Sequence, residues 1–350
     1  MKRRRFLSGV PNHIYQRSLK GTVLFYSLED CLVYFTVFCT YAKRYGVTVL
    51  GLCEMYDHIH QLVQVHDLQT LSEFERMVNL KFSYEYYYDL RQRSADITRW
   101  TDKCQSDCMA APFHFGSESH ARPYAGASQS DKAIPNIGHL LKSPYGSAPK
   151  IGAKAVRTCI AYINNNPVER HIHGEAIRWR WNFLAYAFSE HPFSEKLVRR
   201  SISYKLGKCL KEVEGCHSRG SYLRYSQLGR MFTGLSPEEK RQLVDFIVVT
   251  YNVIEYAILS SYYGSLEKML LAINSNTGCE YDINEERHRN PDTAYGQMMN
   301  YVVNNEYVRR AKDVLLLPLE IKSNLKHVLA RDTLADDWQA SKFLGLDLPR

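Results

Sequence analysis

Two apolar runs, Val47 to Leu52 and Ile59 to Val65, lie on either side of a turn at Tyr56-Asp57 and predict a pair of strands. The stretch reads Cys53-Glu54-Met55-Tyr56-Asp57-His58-Ile59-His60-Gln61-Leu62-Val63. Residues two apart on a strand project from one face, so His58 and His60 stand side by side on a rigid element. Two adjacent imidazoles offer two nitrogens to one divalent cation. One further ligand and a nucleophile would complete a phosphodiester-cutting site.

The surrounding pattern predicts an α+β fold. His13 to Leu19 alternates as a strand does, and Val23-Leu24-Phe25 continues it past Gly21. Ser27 opens a helical run to about Tyr45, with Asp30 placed for a capping box. Leu71 to about Arg93 is helical, with Phe74, Met77, Val78, Leu80 and Phe82 on its apolar side. Residues 94 to 137, rich in Ser, Ala, His, Gly and Asp, read as a flexible insertion. Order resumes around Tyr145 to Lys150, and a helix from about Ala153 to Asn166 is stopped by Pro167. This order predicts a ferredoxin-like antiparallel sheet with helices over residues 1–190.

Residues 191–350 predict a helical C-terminal domain. Ser236-Pro237-Glu238-Glu239 combines an N-cap serine, a proline at N1 and a glutamate at N3. Asn274 to Arg289 reads as a polar surface connection. A candidate helix-turn-helix spans 316–346: one helix from Leu316 to Ala330, a second capped by Thr333 and running through Leu344. Its shared core would be Leu325, Val328, Leu329, Leu334, Trp338, Phe343 and Leu344, leaving Gln339, Ser341 and Lys342 to face a DNA groove. A small dimerising or capping bundle accounts for the same pattern.

Bulk properties narrow the class. The 350 residues suffice for two domains, and 45% hydrophobic content describes a soluble globular protein. The apolar run at Cys31 to Tyr41 is too short to span a bilayer, and Ser8, Gly9 and Pro11 interrupt any signal-peptide core, so no membrane partner is expected. Nine cysteines without framework spacing point to a reducing compartment, hence a cytoplasmic protein, nucleoid-associated when bound to DNA. The pairs Cys104/Cys108 and Cys209/Cys216 read as ordinary thiols, although a structural zinc protein is a third class of reading. From Leu141 to Glu212 there are 13 basic and 5 acidic residues, which carries the whole net charge of +8. A block of that sign suits a polyanionic substrate, with Lys142, Lys150, Lys154 and Arg157 as phosphate contacts; a solvated basic face is the plainer account.

The helix ending at Pro167 reads Cys159-Ile160-Ala161-Tyr162-Ile163-Asn164-Asn165-Asn166-Pro167-Val168. Tyr162 and Asn166, four apart, share one helical face. An amide oxygen is a reasonable third ligand for Mg²⁺ or Mn²⁺, and the neighbouring phenol can attack phosphorus once metal or base eases its deprotonation. Such a set leaves coordination positions open for phosphate oxygens.

With His58-Ile59-His60 following a strand and a methionine, and Tyr162 to Val168 downstream, the chain resembles the REP-associated tyrosine transposases. These belong to the single-tyrosine, His-hydrophobe-His (HUH endonuclease-type) insertion-sequence transposases. The resemblance also takes in His13 to Arg17, Gly138 to Pro149 and Trp181-Asn182-Phe183, about the first 190 residues without the insertion. It implies His58, His60 and Asn166 as ligands of Mg²⁺ or Mn²⁺ and Tyr162 as nucleophile. It also implies cleavage and rejoining of single-stranded DNA near hairpins through a 5′-phosphotyrosine, by a monomer or homodimer.

Three features depart from that pattern: Tyr56-Asp57 in place of Pro-Asn, Gln61 where an apolar residue is usual, and the insertion at 94–137. They leave open a domesticated, catalytically inactive DNA-binding protein. The chain holds its own controls. His171-Ile172-His173 repeats the histidine spacing in what reads as a loop, and Tyr301/Asn305 repeats the Tyr162/Asn166 spacing without a histidine pair nearby.

Overall fold

β2 (Thr48–Glu54) and β3 (His58–Gln64) form the expected hairpin. β3 pairs in turn with β1 (Pro11–Arg17), whose other edge carries β4 (Gly146–Pro149). The result is one antiparallel sheet in the order β2-β3-β1-β4. The computed structural model describes residues 5–19, 21–108, 140–275 and 291–348, with backbone alone for 95–108. Helix α1 (Leu28–Tyr45) joins β1 to β2, α2 (Leu68–Cys108) follows β3, and α3 (Gly152–Glu169) follows β4.

The sheet is held from both faces. Ile14, Leu52, Ile59 and Val63 pack with Leu32, Phe35 and Phe38 of α1 and Phe74 and Phe82 of α2. Leu50, Cys53 and Leu62 pack with Val156, Cys159, Ile160 and Ile163 of α3. Each such apolar side chain contributes about 1.5–3 kcal/mol on burial. The polar residues between them are thereby fixed by packing on either side.

Several local expectations need correction. Val23-Leu24-Phe25 is buried loop rather than strand; the amides of Leu24 and Phe25 both donate to the Tyr56 carbonyl. At α1, Ser27 accepts from the Asp30 amide at 3.3 Å, but the Asp30 carboxylate reaches the Tyr26 amide at 2.9 Å instead of closing a box on Ser27. The part of the supposed insertion from 94 to 108 is helical and continues α2, because nothing between Ser94 and Cys108 breaks a helix: there is no Pro or Gly. Residues 109–137 lie outside the described residues. Pro167 does not end α3, which runs on to Glu169. The proline removes one donor, while the Arg170 amide closes the last turn on Asn166 at 2.9 Å and Asn182 Nδ2 donates to the Asn164 carbonyl at 3.1 Å.

The C-terminal region is helical: α4 (Tyr204–Ser218), α5 (Tyr225–Phe232), α6 (Pro237–Tyr251), α7 (Tyr256–Ser261), α8 (Leu266–Asn274), α9 (Thr293–Asn304), α10 (Leu319–Asp332) and α11 (Asp337–Leu344). Ser236 and Glu239 form the capping box at the start of α6, with Pro237 at N1. Of the connection 274–289, residues 276–289 lie outside the described residues. Leu206, Leu210 and Val213 of α4 and Ile247 of α6 join the same buried cluster as Leu32 and Phe38, so the core runs across residue 190.

The terminal pair differs from the predicted helix-turn-helix. Asp336, not Thr333, caps α11, in a capping box with Gln339. Leu334 is 57% exposed, whereas Gln339, Ser341 and Lys342 are buried. Their polar groups are satisfied inward: Gln339 Nε2 donates to Pro291 O at 3.2 Å and Ser341 Oγ to Asp337 O at 2.7 Å. These three residues therefore cannot face a groove. Among the described residues, no helix is long and apolar enough to cross a membrane.

Candidate active site

The register of β1 against β3 places Arg17 opposite His58, Tyr15 opposite His60 and His13 opposite Leu62. Directly opposed residues share a face. The face bearing the two predicted ligands therefore also bears His13, Tyr15 and Arg17, and α3 lies across it. The His58 and His60 rings are 4.9 Å apart. Tyr162 of α3 brings its ring to 5.5 Å from His60 and 6.0 Å from His13. Asn166, one turn on, places Nδ2 3.4 Å from His60 Nε2. Four side chains from two segments about a hundred positions apart thus converge.

The tautomers follow from donor counting. An amide NH₂ can only donate, so His60 Nε2 accepts from Asn166. His60 Nδ1 then carries the proton and donates to His13 Nε2 at 3.0 Å. Burial, followed by the neighbouring His58, His13 and Arg170 side chains, holds His60 well below the usual histidine range, so the ring is neutral. His58 Nδ1 donates to Asp57 Oδ1 at 2.5 Å, which turns Nε2 into the available nitrogen. Each ring therefore has its Nδ1 engaged by a neighbour, the arrangement that orients an imidazole for ligation through Nε2.

His58 Nε2 and Asn166 Oδ1 are among the buried side-chain atoms without a hydrogen-bond partner among the described residues. Leaving such groups unsatisfied costs about 1–3 kcal/mol each. A divalent cation ligated by both, with His60 Nε2 exchanging the Asn166 amide for the ion as third donor, would remove that cost. The residues fit the ion on this ground, and two imidazoles with one amide oxygen suit Mn²⁺ better than the harder Mg²⁺. Among the described residues no three His, Cys, Asp or Glu side chains are grouped to hold a metal ion, and the proposed set, with its amide, is not of that kind. Cys31, Cys39, Cys53, Cys159, Cys209 and Cys216 are buried thiols without disulfides.

Beside His58 opens a cavity of about 270 Å³. Arg17, Lys142, Arg170 and Lys342 line it against a single carboxylate, Asp57. Lys342 reaches it from α11: Nζ donates to Asp57 Oδ2, while the ammonium stands 4.4 Å from the Trp338 ring centroid. Burial alone would raise the Asp57 carboxyl, but Lys342 and then His58 outweigh it and hold it well below the usual carboxylate range. Lys342 is thus corrected from a groove contact to part of the cavity wall. Gly21, also in the wall, has φ +67°, and a Cβ there would come within 2.8 Å of Leu348 Cδ1, so glycine is required.

The other predicted phosphate contacts do not line this cavity. Lys150 is only 3% exposed, which removes it as a surface contact. Lys154 and Arg157 are exposed on α3, and Arg157 Nη1 donates to Tyr262 O at 3.5 Å. The internal controls separate as their sequence suggested: His171 to His173 lie in a turn, and Tyr301 Oη donates to Asp332 Oδ2 at 2.7 Å on the surface.

The residues that depart from the transposase pattern have structural partners. Tyr56 packs edge-on against Trp179 at 5.5 Å and beside Tyr295 at 5.6 Å. Gln61 points to the opposite face of the sheet, where Nε2 donates to Tyr34 Oη at 3.1 Å. Sequence reasoning missed His13, Arg17, Asp57 and Arg170 as parts of the site. The first two carried a signal, since they alternate on a strand already predicted. Comparison with family models, with curated proteins and with solved structures found no match to this chain.

Proposed function

We propose that this chain is a metal-dependent single-stranded DNA transposase or endonuclease of the single-tyrosine, His-hydrophobe-His class. The observation that carries the reading is the convergence of His58, His60, Asn166 and Tyr162 beside a cavity lined by four cations. The strand–helix–strand–strand–helix–strand succession with order β2-β3-β1-β4 supports it, being the ferredoxin-like outline of HUH endonucleases. The basic cavity suits a phosphodiester backbone.

His58, His60 and Asn166 would hold Mn²⁺ or Mg²⁺, which supplies charge neutralisation at the scissile phosphate. Arg17, Lys142 and Arg170 bind and orient the phosphate oxygens. Tyr162 loses its proton to solvent as its oxygen bonds to phosphorus, the bond to the 3′ oxygen breaks, and that oxygen takes up a proton. The product is a 5′-phosphotyrosine and a free 3′ hydroxyl. Rejoining is the reverse with another 3′ hydroxyl, so no nucleotide cofactor is consumed.

One observation favours a second reading, a catalytically inactive DNA-binding protein. Tyr162 is only 3% exposed, so a strand reaches its hydroxyl only after the cover over α3 shifts. Purified protein incubated with labelled hairpin single strands and Mn²⁺ separates the two. The transposase reading expects a covalent protein–oligonucleotide adduct that disappears in Tyr162→Phe while hairpin binding persists. Salt-sensitive hairpin binding with no adduct in the unmodified protein selects the binding-only reading, and an adduct that survives Tyr162→Phe defeats the assignment of the nucleophile.

A further inference from the structure

A second cavity, of about 440 Å³, lies between α2, α5 and the 307–317 segment, with none of the proposed catalytic residues in its lining. Its size falls within the roughly 300–1,000 Å³ of small-molecule sites. The rings of Tyr88, Tyr225 and Tyr307 supply its aromatic wall, with Leu317 beside them. Tyr88 and Tyr307 are 45% and 37% exposed, so both offer ring area to a visitor. Tyr225 is fixed by its hydroxyl, which donates to Asp30 Oδ1 at 2.6 Å.

The charges are arranged asymmetrically. The carboxylates in the lining, Asp89 and Asp313, are both engaged by Arg93. Arg230 is paired with Glu212. Arg309 and Arg310 are exposed, and neither guanidinium forms a hydrogen bond or close ion pair among the described residues, although the Arg310 charge also acts on the Asp313 carboxylate. A pocket with aromatic walls and two exposed guanidinia is matched by a planar ring that carries a phosphate. The ring stacks on tyrosine, and the phosphate takes the fork geometry of arginine. A cation is repelled, and an uncharged aromatic forgoes the arginine contacts.

We infer that this cavity binds a nucleotide, either free or as one unit of a single strand, with Tyr88 and Tyr307 contacting the base and Arg309 and Arg310 the phosphate. The inference stands whether or not the chain cuts DNA. Gly229 supplies a clean probe, because it lies in α5, lines the cavity, and a Cβ built on it meets nothing within 4 Å. Gly229→Leu therefore fills the pocket without straining the helix.

The test is calorimetric titration of the full chain with dAMP, adenosine, inorganic phosphate and the tetranucleotide (dA)₄. Saturable dAMP binding is expected, with adenosine and phosphate each about tenfold weaker or more, since each lacks one half of the contacts. The double variant Arg309→Ala/Arg310→Ala should weaken dAMP about tenfold or more, and Gly229→Leu should abolish its binding here. Tighter binding of (dA)₄ than of dAMP identifies the ligand as part of a strand; equal binding identifies the free nucleotide. The inference is overturned if dAMP does not bind, if phosphate alone binds as well, or if dAMP binding is the same in both variants as in the parent.

Discussion

Lys342 and Asp57, 285 positions apart, form a buried ion pair whose carboxylate also accepts the Nδ1 proton of His58. A C-terminal helix thereby sets the orientation of a candidate metal ligand in the N-terminal sheet. Breaking a buried pair by removing one partner costs about 3–5 kcal/mol, since the other charge stays buried. Lys342→Met should therefore lower unfolding free energy by about 3 kcal/mol in urea denaturation, with Lys342→Arg retaining most of it. An unchanged denaturation midpoint in Lys342→Met would show that the pair carries no such weight.

Asp57→Asn probes the other half of the relay. It keeps the shape but weakens the acceptor for His58 Nδ1, and loss of an outer partner of a ligating histidine typically lowers metal affinity about tenfold to a hundredfold. Electron paramagnetic resonance of free Mn²⁺ measures this directly, without any catalytic assay. Equal affinity in the parent and in Asp57→Asn would disconnect Asp57 from the ion.

Asn166 makes a prediction of opposite sign. Its Oδ1 is buried without a partner among the described residues. Asn166→Asp supplies a charged, harder oxygen at the same place, so Mn²⁺ binding should tighten, while His60→Ala should weaken it strongly. A merely structural asparagine would give no gain on substitution by aspartate, and the same resonance titration distinguishes the two.

Asp292 gives the site a pH signature in stability. Burial, and then the negative charge of Asp57, push its carboxyl from 3.8 up to about 7. Between those values the folded chain keeps a proton that the unfolded chain has released. Stability from this group is therefore full below the lower value and falls as pH rises through the window, by about 1.4 kcal/mol per unit. Asp292→Asn has no such titration. Its melting temperature relative to the parent should climb between about pH 4 and pH 7 and level off above. A constant difference would place the Asp292 carboxyl in its ordinary range.

The legible parts of this molecule were those with a local period. Period-two alternation put His58 and His60 on one face, and the four-residue spacing of Tyr162 and Asn166 put them on one side of a helix. The same alternation on β1 already contained His13 and Arg17. What stayed hidden was set by partners distant in sequence. A lysine in an eight-residue helix reads as solvent-facing, and only the fold reveals that Lys342 meets Asp57. The continuation of α2 to Cys108 was hidden for a different reason. Residues 94–108 carry no regular apolar stripe, the period by which a helix shows itself in a sequence.

The boundary near residue 190 can be tested through Lys312. Its ammonium is buried, donates to Asp30 Oδ1 at 2.7 Å and Asp89 Oδ2 at 3.3 Å, and stands 3.5 Å and 4.2 Å from the ring centroids of Tyr86 and Tyr225. Asp30, Asp89 and Tyr86 belong to α1 and α2; the lysine and Tyr225 belong to the C-terminal region. A fragment ending at residue 190 loses that cation, and with it the α4 and α6 side chains that complete the core around Leu32 and Phe38. A buried Asp30 carboxylate without its counter-charge, with Asp89 left to Arg93 alone, and a bared apolar helix face together offset much of the 5–15 kcal/mol that normally holds a domain folded. Residues 1–190 alone should therefore show no cooperative thermal transition by circular dichroism, and Lys312→Met in the full chain should cost about 3–5 kcal/mol. A fragment that melts cooperatively, with dispersed amide resonances, would mean that the sheet and its three helices are self-sufficient and that the shared core is dispensable.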